Sequence, residues 1–277
     1  MWNWQLLRAG ALRLDGGGMF GVIPRTIWSR LVTADDNNRI ALQTNCLLLQ
    51  DGSQTVLVET GCGDKWTDTQ RGHWDLERRT IVDALREVDI EPGQVDVVIV
   101  THLHFDHAAA LTRWDADNRP VPTFPNATVI VQETEWADAL ANKSTMGRTY
   151  LRSHLDPVAD CIQLVSGDTE VLPGITVWPM VGHTWGHQAV RFDDGEGIVC
   201  FPGDVMPTVH HAGPAYSLGY DMLPYENMLS KQALLEQASR ENWRLVLDHE
   251  PGNPVVRVAP ETGKAGRFRL VQEAGAG

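Results

Sequence analysis

Thr101-His102-Leu103-His104-Phe105-Asp106-His107 places three imidazoles and one carboxylate within six residues, directly after the apolar run Val97-Val98-Ile99-Val100. The run is short, continuous and β-branched, which predicts a buried strand. The cluster therefore sits where a strand gives way to a loop. A loop at the carboxyl end of a strand can aim several side chains at one point outside the sheet. Imidazole and carboxylate are the usual nitrogen and oxygen ligands of zinc and related divalent ions. In extended backbone, His102 and His104 project to one side. Asp106 and His107 are adjacent, point in different directions and can serve a second ion. A polar loop that merely happens to be rich in His is the competing reading, and it accounts poorly for so many ligand groups in so short a run.

Composition bounds the rest. A chain of 277 residues with 43% hydrophobic content can bury a large core, and one α/β domain over 1–277 is the simplest division, since no repeat, low-complexity tract or linker interrupts it. The formal net charge of −13 disfavours nucleic acid and anionic membrane as partners, and no Lys/Arg run offsets it. Cys46, Cys62, Cys161 and Cys200 form no CxxC pair, so buried free thiols in a reducing compartment are expected rather than a disulfide framework. The start, Met1-Trp2-Asn3-Trp4-Gln5, lacks a basic region and an apolar core, so no signal peptide is expected. No apolar run approaches the roughly 20 residues of a membrane span. A cytoplasmic, soluble protein is the expectation.

Along the chain, residues 4–14 suit a first strand, broken by Gly16-Gly17-Gly18. Residues 20–38 read as a long loop excursion carrying exposed apolar groups. A functional loop and a packed surface excursion are equally good readings of it. Ile40–Leu49 and Thr55–Glu59 form a hairpin around Asp51-Gly52. Helices are predicted over Leu76–Val88, over Glu133–Ala141 with Trp136 and Leu140 inward, and over Glu226–Ser239. Strands are predicted at Thr128–Val131, Cys161–Val165, Ile175–Pro179, Gln188–Phe192, Gly197–Phe201, Leu245–Leu247, Val255–Val258 and Arg267–Val271. Two runs of strands separated by helices suggest two packed sheets with helices outside.

Three more ligand-type residues stand directly after strand-like runs: His183 after Trp178–Gly182, Asp204 after Ile198–Gly203, and His249 after Leu245–Asp248. With the His-X-His-X-Asp-His run, Gly182-His183-Thr184-Trp185-Gly186-His187 and Phe201-Pro202-Gly203-Asp204, this order resembles the metallo-β-lactamase superfamily, from Glu59-Thr60-Gly61 to His249. The resemblance implies an α/β (α+β) fold, a four-layer αβ/βα sandwich with two metals between the sheet edges. It implies that His102, His104 and His183 hold one metal, that Asp106, His107 and His249 hold the other, and that Asp204 bridges them. Zinc comes first, with Mn, Fe and Co also accepted by mixed His and carboxylate sites. His187 matches a position that is not a ligand and reads as supporting or structural. Glu59 stands where the family usually has Asp, and Trp185 where Pro is common. His73 and His154 are expected on the surface.

The branch is narrower. Phe20–Pro24, Asn37–Ile40, Asn45–Leu48, Gly203–Thr208 and Tyr220–Pro224 look like the quorum-quenching N-acyl homoserine lactonases and methyl parathion hydrolase-like enzymes. Hydrolysis of an N-acyl homoserine lactone or related lactone ester, by hydroxide held between the metals, is the function this implies. A phosphotriesterase is the alternative, and a regulatory module with a residual metal site ranks below both. Some lactonases place a catalytic Tyr three residues after the bridging Asp. Pro207 stands there, leaving Tyr220, His210 and His211 as candidate replacements. Asp106 can pass a proton to the leaving alkoxide. Phe20, Trp28, Met206 and Met222 could line an acyl pocket, or simply pack. Members of the branch are often dimers, so a homodimer using residues 20–38 is a further expectation.

Overall fold

The computed structural model describes residues 1–147, 149–264 and 266–273. In chain order it contains β1 (Asn3–Asp15), α1 (Gly16–Phe20), α2 (Arg25–Trp28), β2 (Arg39–Gln50), β3 (Thr55–Val58), α3 (Asp68–Trp74), α4 (Ile81–Arg86), β4 (Val97–Ile99) and α5 (Phe105–Ala108). Then follow β5 (Thr112–Trp114), β6 (Pro120–Pro122), β7 (Thr128–Gln132), α6 (Glu133–Leu140), α7 (Arg152–Leu155), β8 (Ile162–Val165), β9 (Thr169–Leu172) and β10 (Ile175–Pro179). The chain continues with β11 (Gln188–Asp193), β12 (Ile198–Phe201), α8 (Pro224–Glu241), β13 (Arg244–Val246), β14 (Val255–Pro260) and β15 (Phe268–Gln272).

The strands form two large mixed sheets, ordered β1-β2-β3-β4-β7-β8 and β15-β14-β13-β12-β11-β10-β9. Alternation along each strand explains the layering, because successive side chains leave opposite faces. Leu47, Leu49, Val56, Val58, Val97, Ile99 and Ile130 meet Val177, Val190, Phe192, Val199, Phe201 and Val246 of the second sheet. Their neighbours Cys46, Leu48, Leu57, Val98, Val129 and Val131 face the other way and pack with Ile81, Ala84, Leu85 and Ala139 of the helices. On the far side, Ala189, Cys200, Leu245 and Val256 pack with Leu234, Leu235 and Ala238 of α8. Helix, sheet, sheet, helix is the four-layer αβ/βα sandwich.

Several sequence expectations need correction. In the 20–38 excursion Val22 and Ile27 are exposed, but Phe20 and Trp28 are fully buried and stack at 5.5 Å with an interplanar angle of 5°. The preceding glycines do more than break β1: a Cβ on Gly16 would lie 2.4 Å from the Trp28 indole. In α6 Trp136 packs partly buried against the core as expected, but Leu140 is exposed and the fully buried positions are Glu135 and Ala139. His154 is buried, its ring 5.4 Å from that of Trp66. All four cysteines are free, but Cys62 and Cys161 are half-buried rather than buried. Helix α3 and strands β5, β6 and β9 were not expected.

Candidate metal centre

Strand β4 delivers the chain to Thr101 at the sheet edge, where Glu59 fixes the exit. Glu59 sits at φ +68°, beyond the end of β3, and its Oε1 accepts from the Thr101 backbone N–H at 2.6 Å. His102 and His104 follow in extended backbone, and the short helix α5 carries Asp106 and His107 inward. His183, Asp204 and His249 arrive from the loops after β10, β12 and β13. All seven residues are buried.

They converge as two groups that share one carboxylate. Ligand atoms of His102, His104, His183 and Asp204 lie within 4.8 Å of one another, as do those of His107, Asp204, Asp248 and His249. Asp204 Oδ2 is 3.0 Å from His183 Nε2 and 3.9 Å from His102 Nε2. Its Oδ1 is 3.3 Å from His249 Nε2 and 3.8 Å from His107 Nε2. Asp106 reaches the second group from above, 3.8 Å from His107 Nε2 and 3.6 Å from His249 Nε2. Asp106 and His107 thus face the same group rather than diverging. Asp248 is the member that sequence reasoning missed.

The donor set fits divalent ions. His102 Nε2, Asp204 Oδ1 and Asp248 Oδ2 are buried with no hydrogen-bond partner, a state that is unfavourable unless something else satisfies them; His104 turns its Nδ1 to the cluster, 2.9 Å from His183 Nε2. For His183, His249, His107 and His102 the opposite ring nitrogen faces a protein group, as metal-ligating imidazoles require. His183 Nδ1 lies 2.8 Å from Asp221 Oδ1, and Asp221 Oδ2 accepts from Leu218 N–H and Asn227 Nδ2. His249 Nδ1 lies 2.9 Å from the Gln43 carbonyl, His107 Nδ1 3.4 Å from Glu59 Oε2, and His102 Nδ1 3.0 Å from Thr101 Oγ1. The sequence motif left the contact made by Glu59 open; the structure places it against His107.

Proton affinities follow from these surroundings. Burial holds His102 and His104 well below the usual imidazole range. Burial also opposes charging His183, but Asp204 and Asp221 outweigh it and push it up to about 10. Asp106, Glu59 and Asp204 outweigh burial at His107 and push it up to about 9. In metal-free protein, the contribution of His183 and His107 is complete below the unfolded value of about 6.5 and is lost as pH rises through their folded values. His102 and His104 act oppositely, weakening folding as pH falls below that point. Metal-free protein is therefore expected to be most stable near pH 6.5, by about the unperturbed imidazole value, and to lose stability on both sides. Divalent ions hold ring nitrogens neutral, so metal-loaded protein should lack the alkaline loss. Thermal melts of stripped and loaded protein across the range check this, and a stripped protein indifferent to alkaline pH would contradict it.

A cavity of about 130 Å³ opens onto this cluster. His104, Asp106, His183, Asp204 and His249 line its floor, and Leu14, Met19, Trp74, Phe105, Met146, Thr149 and Tyr220 its walls. Phe20 and Trp28 lie behind that wall in the core, and Met206 packs in the α8 core. A Cβ on Gly18 would fall 2.1 Å from Tyr220 Oη, so that glycine makes room for the phenol. Burial and the nearby Asp15, Asp106 and Asp204 push the Tyr220 phenol up to about 12, so it stays protonated at neutral pH. His210 is half-buried, 6.5 Å from the Phe20 ring, and does not line the cavity. His211 is buried, its Nε2 2.8 Å from the Met19 carbonyl, and so braces the wall. His187 is buried against Gly203, where a Cβ would lie 2.6 Å from its Nε2. Trp185 is half-buried, with Lys143 Nζ 3.8 Å from its ring centroid.

The chain is similar to known proteins. A family model described as the metallo-beta-lactamase superfamily matches residues 39–249. A Bacillus thuringiensis protein named N-acyl homoserine lactonase is 30% identical over 157 residues, 52% of this chain and 56% of that protein, so the chain spans about half the length of that curated relative. N-acyl homoserine lactonase AttM of Azorhizobium caulinodans is 28% identical over 211 residues, 73% of this chain and 76% of that protein. The solved structure of a probable metal-dependent hydrolase from Staphylococcus aureus superposes with a TM-score of 0.88 at 26% identity, covering 99% of this chain and 97% of that one.

Proposed function

From the premise that this chain belongs to the metallo-β-lactamase superfamily, we propose that it is a dinuclear metal-dependent hydrolase that opens lactone esters, N-acyl homoserine lactones first among them. One observation carries the reading: the two oxygens of Asp204 face two separate groups of imidazoles on the floor of an apolar-walled cavity. The similarity to lactonases supports the substrate class. His102, His104 and His183 would hold one ion, His107, Asp106 and His249 the other, with Asp204 shared. Zinc is assigned first, and Mn, Fe and Co suit the same donors. Two such ions supply Lewis acidity and a water whose pKa is lowered toward neutrality.

The chain's own residues do the rest. Leu14, Met19, Trp74 and Phe105 exclude water and seat an apolar arm of the substrate. Tyr220, protonated and facing the cavity, donates a hydrogen bond to the ester oxygen that gains charge. Asp106 lies on the cavity floor, where a carboxylate can take a proton and return it to the leaving alkoxide. His210 lies off the cavity and is given no role.

The test is a rate comparison on metal-loaded full-length protein. An N-acyl homoserine lactone is expected to be hydrolysed with a higher kcat/KM than an aryl phosphotriester. A preference for the triester would transfer the assignment to phosphorus chemistry. Failure on both, with two ions bound, would end the lactonase reading.

A further inference from the structure

Asp248 is a buried acid that the proposed mechanism does not use. It is 1% exposed, and its Oδ1 accepts from the His249 backbone N–H at 3.1 Å. Its Oδ2 has no hydrogen-bond partner. A lone carboxylate oxygen in that position is unfavourable by the desolvation of a charged group. Strand alternation would send Asp248 away from His249, but β13 ends at Val246 and both residues lie in a turn. The turn lets both side chains lean into the centre. Oδ2 comes within 4.0 Å of His249 Nε2, and an Asp248 oxygen lies within 4.8 Å of the ligand atoms of His107, Asp204 and His249.

The charges facing that spot sharpen the point. Asp106, Asp204, Asp248 and Glu59 all approach the His107–His249 pair, and no Lys or Arg forms an ion pair with any of them among the described residues. Ligating imidazoles must be neutral. The carboxylates then require cations that the protein does not supply.

We propose that Asp248 is a direct ligand of the second metal ion, an additional carboxylate beside His107, His249 and Asp204 in a site otherwise shared with Asp106. This rests on the dinuclear reading above. A wild-type chain that fails to take two ions defeats that reading, whereas the variants below test Asp248 alone.

The experiment is a Co2+ titration of stripped full-length protein, followed by its absorption spectrum and by competition with a chelator. In D248N the second binding step is expected to weaken by about a hundredfold while the first is unchanged. Stripped D248N should melt no lower than stripped wild type, because a carboxylate beside Asp204 has been removed. Asp248→Cys should give Co2+-loaded protein a thiolate-to-metal charge-transfer band that wild type lacks. Equal weakening of both steps, or a lower melting point of stripped D248N, would mark Asp248 as structural and overturn the proposal. An unchanged second step overturns it too, as does a missing charge-transfer band in the Cys variant.

Discussion

Asp204→Ala is expected to abolish turnover and to leave the protein with fewer than two ions per chain. The reason is geometric. Oδ2 points to His183 and His102, and Oδ1 to His249 and His107. Removing the side chain therefore takes one donor from each group, and it is the only one the two groups share among the described residues. The neighbouring imidazoles cannot substitute: His102, His107 and His249 are held through their other nitrogens. Loss of a single oxyanion donor in other hydrolases lowers kcat by 10²–10³, so losing the group that spaces both ions should exceed about 10³-fold. Asp204→Asn, which keeps shape and loses charge, should retain the fold and lose most of the activity. Metal analysis alongside steady-state rates decides. Near-normal hydrolysis by the Ala variant would remove Asp204 from the bridge.

Much of this was legible in the sequence because it is local. A β-branched run ending in a His-rich loop fixes the strand and the common side of His102 and His104, but not the facing of Asp106 and His107. The same logic reaches His183, Asp204 and His249, each at a strand exit. Alternation separates Leu47 and Leu49 from Cys46 and Leu48 without any knowledge of the partner sheet. What escaped notice depends on distant segments. His154 is buried because Trp66 comes to cover it, which nothing near residue 154 announces. Asp221 becomes important because the fold brings it to His183, 38 residues away, while Leu218 N–H and Asn227 of α8 hold its other oxygen. Asp248 lies at the same strand exit as His249 and reaches the centre only because both sit in the turn after β13, which residue spacing does not announce. Glu135, at the start of a helix, carries the ordinary signature of a solvated acid. The only local hint is Ala139 one turn later, a small residue on the same face.

Glu135→Ala is expected to lower stability by about 2–4 kcal/mol, since each buried donor left without a partner costs 1–3 kcal/mol, and to release metal from the first group selectively. Glu135 is fully buried, and burial raises its pKa. Its Oε1 accepts from the Leu103 backbone N–H at 2.9 Å, between His102 and His104, and from Tyr150 Oη at 3.1 Å. Its Oε2 accepts from Thr184 Oγ1 at 2.6 Å, next to His183. One carboxylate therefore ties together both loops that present the first group of imidazoles, and the Tyr150 ring packs at a tilt 5.1 Å from the His104 ring. The hydroxyls of Thr184 and Tyr150 can turn to other acceptors, but the Leu103 N–H cannot. The backbone is equally tight: a Cβ on Gly186 would lie 2.2 Å from the Glu135 nitrogen. Glu135→Gln keeps the shape and one acceptor oxygen for the Leu103 N–H, and its amide NH2 can donate to the Thr184 hydroxyl, so it loses only the charge-assisted strength of these bonds and should fall between wild type and Ala. A role confined to packing predicts that both variants lose stability while each ion stays equally tight. The positioning role predicts a weaker first step in the metal titration, a second step that is unchanged, and partial rescue by Gln.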